Sequence, residues 1–572
     1  MTIQQLITEH LDIWTAAETE KKSGRGRSSG NASSVYGIKK LRELILELAV
    51  RGKLVPQDES DEPASELLKR IVAEKAKLVA EGKIKKSKPL AEITDDEKPL
   101  EPITEGEKLF ALPIGWEFVR LANIIKISSG DGLTSDQMDK SGNIPVYGGN
   151  GVTGYHSISN VIKRTLVIGR VGYYCGSIHI TPESAWVTDN AFITKFSQEN
   201  ISMSFLYWLL RITNLKENES ATAQPVISGR KVYPIVVALP PFEEQHRIVT
   251  KVDQLMALCD QLENQHNDAA EAHEKIVTHL LGTLTQSQNA EDFNTHWQRI
   301  SEHFDTLFTT EASIDVLKKI LLQLAVMGKL VHQNPNEEPA SELLKRIQAE
   351  KAKLIAEGKI KKDTPLAEIT DDEKLFVLPD GWEWARLKNI VYILGDGLHG
   401  TPKYTENTGC YFVNGNNLQN GKIAIKHETK TVSLDEMEKH KKSLNERTVL
   451  VSINGTIGNV AFYNGENIIL GKSACYFNLA HQIYKQYLKL LIESPYFIEY
   501  TKENVSGTTI MNLSLFSMNN FPLPIPPIEE QKSIVAKVNE LMELCDQLKV
   551  RIIAANQLQQ KLANVMVEQA TT

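Results

Sequence analysis

The sequence predicts an α/β protein arranged as a pseudo-two-fold tandem repeat, in which two mixed α/β domains are separated by two long antiparallel coiled-coil helices. Three observations lead there. Glu62 to Lys98 recurs as Glu338 to Lys374 at an offset of 276, with four differences in 37 positions. The phrase Pro240-Pro241-Phe242-Glu243-Glu244-Gln245 returns as Pro526-Pro527-Ile528-Glu529-Glu530-Gln531 at an offset of 286, and the same apolar rhythm follows each copy. Between these echoes lie two unlike segments, which nevertheless open on related words, Leu112-Pro113-Ile114-Gly115-Trp116-Glu117 and Leu378-Pro379-Asp380-Gly381-Trp382-Glu383. Duplicated supports around dissimilar inserts suit a molecule that reads two different things at a fixed separation.

The elements follow in chain order. Residues 1–36 form an N-terminal extension whose Gly/Ser-rich, basic stretch 21–34 reads as a flexible connector. A helical region, 37–106, begins with Ile38, Leu41, Leu44, Ile45 and Leu48 at helical spacing, and Gly52 stands where that helix would end. Pro63 then suits the first turn of a second helix that Gly82 closes, and Pro339 and Gly358 do the same in the second copy. The inserts, 107–242 and 375–527, carry short apolar runs such as Leu166-Val167-Ile168 and Val449-Leu450-Val451 bounded by Gly, Asn and Asp, which marks strands and turns. One helix per insert is expected, near Ser202 to Lys216 and Ile483 to Glu503.

The tails are the strongest periodic signal. Ile248, Val252, Leu255, Cys259 and Leu262 follow a 4-3-4-3 rhythm, as do Ile534, Val538, Leu541, Cys545 and Leu548. The first tail opens a central region, 243–374, that also contains the second helical repeat, and the other tail fills 528–572. A helix of about 40 residues is roughly 60 Å long and cannot bury its stripe alone, so the tails are expected to pair with each other.

Composition narrows the class. At 572 residues the chain is too long for one core and should form about three to five compact pieces. No run approaches the roughly 18 apolar residues of a membrane span, and the five cysteines never form C-x-x-C, so a structural zinc or disulfide framework is not expected and a cytoplasmic location is. The net charge of −8 is uneven. Residues 107–242 hold 12 Lys+Arg against 10 Asp+Glu and residues 375–528 hold 14 against 13, so the inserts are slightly positive and the remainder carries −11.

Catalytic motifs are missing from the pattern. Leu239-Pro240-Pro241-Phe242 resembles the Asp/Asn-Pro-Pro-Tyr/Phe loop of amino-methyltransferases, but Leu replaces the residue that must accept hydrogen bonds from the target amine, and Ile525 fails in the same way. These prolines are expected to lead into helices. Gly465 to Ser473 approximates a phosphate-binding loop, yet five residues instead of four precede Gly471-Lys472-Ser473, which spoils the convergence of backbone amides. No catalytic residue, directly bound cofactor or metal site is assigned.

The phrase P-P-[FI]-E-E-Q-x-x-I-V-x-K-V closing a variable segment, followed by a heptad helix and a block like Leu324-Ala325-Val326-Met327-Gly328-Lys329-Leu330-Val331, resembles the specificity subunit of type I restriction-modification systems. Both copies match, and the long constant blocks look like the IB subfamily. The resemblance implies a non-enzymatic chain, one copy per complex, whose divergent segments are target recognition domains for the two halves of a split, asymmetric DNA sequence. The helices would act as a ruler. Its implied partners are double-stranded DNA, two methyltransferase subunits bringing S-adenosylmethionine to an adenine, and two motor-nuclease subunits using ATP and Mg. A coiled-coil adaptor joining two proteins without DNA is the alternative from another class.

Sequence readout needs side chains that present donors and acceptors to base edges, while cations and backbone amides hold phosphates. The candidates in the first insert are Gly148, Asn150, Tyr155, His156, Arg170, Tyr173, Tyr174, Gln224, Ser228, Arg230 and Lys231. Those in the second are His399, Thr401, Lys403, Tyr404, Asn414, Asn416, Asn417, Asn454, Thr456, Lys472, Thr508, Thr509 and Asn512. Arg170 and Lys403 stand out because each is a cation beside turn-forming residues that allow close backbone approach. Each of these residues also has a plain reading as part of a polar surface loop.

Overall fold

The computed structural model describes residues 9–16, 35–81, 102–139, 141–172, 174–215, 226–362, 364–507 and 511–571. The chain divides into two compact units, Met1–Asp268 with Asn556–Thr572, and Ala269–Ala555.

In the first unit, helix α1 (Tyr36–Val50) buries Ile38, Leu41, Leu44, Ile45 and Leu48 on one face. It ends as its glycine requires: Gly52 adopts φ +68°, and Lys53 N–H bonds the Leu48 carbonyl at 2.9 Å. Helix α2 (Ala64–Ala80) follows. Part of the N-terminal extension is ordered against this core, because a short helix, Leu11–Ala16, buries Trp14 completely. A Cβ at Gly37 would meet the Trp14 carbonyl oxygen at 2.4 Å, so α1 needs a glycine there. The connector 21–34 lies outside the described residues, as does Gly82.

The insert of this unit is built on a four-stranded antiparallel sheet of β1 (Ile125–Ser129), β2 (Leu166–Gly169), β3 (Ile178–Ile180) and β4 (Ala191–Phe196), in the order β1-β4-β2-β3. Helix α3 (Met203–Ile212) lies where one helix was expected and packs Phe205, Leu206, Leu209 and Leu210 into the same core as α1. The long helix α4 (Phe242–Thr285) starts directly after Pro240-Pro241, as its prolines predict.

The second unit repeats the plan. Helices α5 (Glu311–Val326) and α6 (Ala340–Ala356) correspond to α1 and α2, and Gly328 and Gly358 take φ +71° and +70°. Strands β5 (Val391–Asp396), β6 (Thr448–Ser452), β7 (Val460–Phe462) and β8 (Ala474–Leu479) form an antiparallel sheet in the matching order β5-β8-β6-β7. The single helix expected near 483–503 is two, α7 (Lys485–Glu493) and α8 (Pro495–Asn504). Pro495 has no N–H to continue α7, and its fixed φ suits the first turn of a new helix instead. The last long helix, α9 (Ile528–Thr571), again follows a proline pair.

The heptad seams are buried, but they are shared more widely than pairing of the tails alone would require. In the first unit Ile248, Val252, Leu255 and Cys259 of α4 join the α1 stripe and Ala563 near the end of α9. In the second, Ile534, Val538, Leu541, Cys545 and Leu548 of α9 join Ile314, Leu317, Leu321 and Leu324 of α5 and Val277, Leu281 and Leu284 near the end of α4. Each unit thus takes the start of one long helix and the end of the other.

The repeated phrases prove to be physical partners. Glu244 Oε2 accepts from Trp116 Nε1 at 2.9 Å and its Oε1 from Gln57 Nε2 at 3.1 Å, while Gln245 Oε1 accepts from Ser202 N at 2.9 Å. Glu530 repeats this with Trp382 Nε1 at 3.0 Å and Gln333 Nε2 at 3.0 Å, and Gln531 with Tyr484 N at 2.9 Å. The opening word of each insert is therefore bonded to its closing word, which fixes both insert ends at the root of a long helix. A buried carboxylate is tolerable only with such donors.

Candidate nucleic-acid interface

Three loops meet at one end of the first sheet. The hairpin Ile144–Gly148/Gly151–His156 brings its tip against the end of β2, where Ser177 Oγ donates to the Gly149 carbonyl at 3.0 Å and a Cβ on Gly149 would meet the Val171 carbonyl oxygen at 2.2 Å. Arg170, the residue after β2, donates its backbone N–H to the Asn190 carbonyl at 2.9 Å and accepts from Ile227 N–H at 2.9 Å. Ser228 then leads into the one-turn helix Gly229–Val232, which carries Arg230 and Lys231. Gly148, Asn150, Arg170, Tyr174, Ser228, Arg230 and Lys231 are thereby gathered by backbone bonds. Tyr155 and His156 sit at the opposite end of the hairpin strand, where His156 meets Trp186 edge-on at 5.4 Å. Tyr173 and Gln224 lie outside the described residues.

Arg170 is only half free of the protein. Its Nη1 donates to Ser129 Oγ at 3.0 Å and to the Asp189 carbonyl at 3.3 Å, and its guanidinium lies 5.4 Å from the Phe192 ring centre. Its Nε is buried without a hydrogen-bond partner. Such a fork is held in place before any ligand arrives, which suits a directional contact better than a mobile cation would. Beside the hairpin tip, burial pushes the His179 imidazole below its usual range, so it adds no cation there at neutral pH.

The second sheet ends in a comparable gathering. Asn414 Oδ1 accepts from Ser473 Oγ at 3.1 Å, and Ser473 Oγ accepts from Gly415 N–H at 2.8 Å. Asn454 Nδ2 donates to Asn512 Oδ1 at 3.2 Å, and Gly455 N–H bonds the Met511 carbonyl at 3.0 Å. Leu398 bridges to Gly471, which sets His399, paired with Asp396, beside exposed Lys472. His399, Asn414, Asn416, Asn454, Thr456, Lys472 and Asn512 therefore share one sheet end. Thr401, Lys403 and Tyr404 trail away from it toward the pairing of Tyr404 with Val432, so Lys403 is not the counterpart of Arg170. Asn417 is a correction: it is 6% exposed and its amide bonds the Ala424 carbonyl at 3.0 Å and Thr429 Oγ1 at 3.2 Å, so it builds the loop and cannot reach a base edge. Thr508 and Thr509 lie outside the described residues.

Gly471-Lys472 is a turn between strand Ile468–Leu470 and β8, with no helix after it, which removes the phosphate-loop reading. Among the described residues no cluster of His, Cys, Asp or Glu could hold a metal ion, and no helix is long and apolar enough to cross a membrane.

The backbone bonds put the two sheet ends in register. Arg170 and Ile453 occupy the same place, since Ile453 N–H bonds the Ser473 carbonyl at 2.9 Å and the Ile453 carbonyl accepts from Leu513 N–H at 2.8 Å. The next bridge is Val171 with Val226 in one unit and Asn454 with Asn512 in the other. One scaffold thus presents an arginine beside two valines, and its copy buries an isoleucine there and has two asparagines beside it. A family model described as the type I restriction modification DNA specificity domain matches residues 113–272 and 379–556, once over each copy. The chain belongs to that family. It is a specificity subunit of a type I restriction-modification complex, and recognition, not catalysis, is its task.

Across its whole length and theirs, this specificity subunit is 39% identical to the Escherichia coli type I restriction enzyme EcoAI specificity subunit and 38% identical to that of EcoEI. A solved structure of a type I restriction-modification assembly is 17% identical, with a TM-score of 0.43, over 81% of this chain and 99% of that one. The specificity subunit from Thermoanaerobacter tengcongensis gives 16% and 0.36 over 81% and 98%.

Sequence pattern missed several members of these ends. Ser129 and Ser473 position Arg170 and Asn414; Ser129 does not stand out in I-S-S-G, and Ser473 drew notice only as the end of an imperfect phosphate-loop pattern. Phe516 is 75% exposed although an apolar residue in S-L-F-S-M reads as core. The offset of 286 that aligns the P-P-x-E-E-Q phrases would have set it opposite Arg230.

Proposed function

We propose that this specificity subunit reads an asymmetric, bipartite duplex sequence, with residues 107–242 recognising one half and residues 375–527 the other. The observation that carries this reading is the substitution of Arg170, Val171 and Val226 by Ile453, Asn454 and Asn512 at matching positions of two otherwise parallel frameworks. An arginine fork pairs with guanine O6 and N7, whereas asparagine amides pair with adenine N6 and N7. Unlike side chains on like scaffolds imply unlike half-sites, so the address need not be a palindrome.

In this reading one copy of the chain works with two methyltransferase subunits, which bring S-adenosylmethionine to an adenine in each half, and two motor-nuclease subunits, which supply ATP- and Mg-dependent translocation and cleavage in the cytoplasm. The long constant blocks support assignment to the IB subfamily. Residues 37–106, 243–374 and 528–572 would serve as scaffold and docking surface, with 1–36 leading into it.

The test is duplex binding by the chain with its methyltransferase, titrated with salt, followed by mapping of methylated adenines in cells that carry the whole system. Affinity should fall steeply and log-linearly with salt, and the methylated motif should have two different halves around a fixed gap. A salt-independent complex, or binding of two proteins in place of DNA, would favour the adaptor reading.

A further inference from the structure

Phe516 occupies the position in the second unit that Arg230 occupies in the first. Ser514 and Ser228 each stand just before a short helix, Leu515–Asn520 and Gly229–Val232, though only Ser514 bonds it with its side chain, and two residues beyond Phe516 and Arg230 come Met518 and Val232, both fully buried. The same offset of 286 pairs the following strands, Pro522–Ile525 and Val236–Leu239, which close onto Glu383–Arg386 and Glu117–Arg120. The turn is pinned from below. Ser517 N–H bonds Ser514 Oγ at 3.0 Å, and Tyr500 Oη donates to the Ser517 carbonyl at 2.7 Å. With its turn held in this way, Phe516 stands 75% exposed.

A phenyl ring kept in water forgoes the benefit of burial, and it can do nothing for a phosphate. It can do something for a base. The helix of Phe516 starts two residues after Leu513, whose N–H bonds the Ile453 carbonyl at 2.8 Å beside the bonded pair Asn454 and Asn512; the amides of that pair are of the type that reads base edges, and the thymine methyl is the one apolar group that a duplex offers in its major groove. The opposite choice at the equivalent place, a cation, makes this a position where the two recognition domains differ in kind.

The geometry points to Phe516 as a specificity-determining residue that packs on the methyl group of one thymine in the half-site read by the second recognition domain. This rests on the proposed bipartite DNA reading, and the experiment separates the two. Duplexes in which each thymine of the mapped site is replaced in turn by deoxyuridine, which lacks only that methyl, are methylated by complexes of the full-length chain and by its Phe516→Ala variant. One replacement in the second half-site should slow the unaltered complex about tenfold. Phe516→Ala should be slowed to the same degree on the natural duplex and no further by that replacement, with the first half-site, thermal unfolding and co-purification of the methyltransferase unchanged. Because the ring bears no charge, the slope of log affinity against log salt should also stay the same. An unaltered rate for Phe516→Ala, losses from deoxyuridine that add to those of the variant at every position, or a loss of methyltransferase binding would overturn the assignment. Failure of the unaltered complex to bind any duplex would instead overturn the DNA reading beneath it.

Discussion

Arg170 is bonded to Ser129 and Asp189 and spread over Phe192, so its replacement by alanine removes both a recognition group and a brace for the end of β2. Arg170→Ala should weaken methylation of the first half-site by about 1–3 kcal/mol in specificity and leave the second half unaltered, as adenine mapping on half-site variants would report. Equal loss at both halves would remove Arg170 from the interface. In the second unit the bond between Asn454 and Asn512 makes them a coupled pair, not two independent readers. Single Asn454→Ala and Asn512→Ala variants should each relax the second half-site, and a double-mutant cycle should give a coupling of about 0.5–2 kcal/mol. Strict additivity would mean that the two amides do not act together. At this scale the sequence is only partly legible. Polar and cationic loop residues identify themselves by type, but which of them converge depends on backbone bonds between segments up to about 60 residues apart, such as Gly415 to Ser473. Pattern therefore admitted Asn417, whose amide faces inward, and omitted Phe516, which faces out.

Helices and strands were far more legible, because periodicity, prolines and glycines act locally. The long helices, α1 and its repeat, and the strand-rich inserts all follow from such signals, whereas the single helix expected over 483–503 ran across Pro495, a proline that no helix interior tolerates and that divides it in two. The bond between the opening and closing words of each insert was not legible, since Trp382 and Glu530 are 148 residues apart. That bond also differs in an informative way between units. Beside Glu244, Arg247 pairs with Asp61 at 2.5 Å, whereas beside Glu530 the matching positions are Ser533 and Glu337, and Glu337 Oε2 is buried with no hydrogen-bond partner. Burial, with Glu337 adding to it, pushes the Glu530 carboxyl up to about 7. A carboxyl whose pKa is raised on folding binds more protons in the native state between its unfolded value of 4.5 and about 7, so this group stabilises the second unit at low pH and loses that contribution as pH rises through 7. Thermal unfolding followed from pH 5 to pH 8 should show this decline, and Glu530→Gln should flatten it. Ser533→Arg, which restores the cation present in the first unit, should raise the midpoint at pH 8 by a few degrees, about what 1 kcal/mol is worth in a unit of this size. An unchanged pH slope in Glu530→Gln would show that the carboxyl is already ionised throughout.

The tandem plan has a consequence for the whole chain. Helix α4 leaves the first unit at Asp268 and enters the second at Ala269 without interruption, and α9 passes from the second to the first between Ala555 and Asn556. Both recognition domains are bonded to the roots of these helices through Glu244 and Glu530, so the length of the helices, not the chemistry of the inserts, should set the gap between half-sites. Seven residues preserve the heptad phase and add about 10 Å of axis, which is roughly three base pairs of duplex at 3.4 Å each. A heptad added between Glu263 and His279 and a second added between Lys549 and Leu562 should therefore lengthen the unspecified spacer by about that amount while both half-sequences stay as they were. Methylome mapping reads both quantities at once. A heptad in one helix alone leaves the two connections unequal and should lower activity without defining a new spacer, and insertion of two residues should do worse, because it turns the buried seam by about 200° out of register. A changed half-sequence in the matched double insertion, or an unchanged gap, would mean that something other than these helices holds the two readers apart.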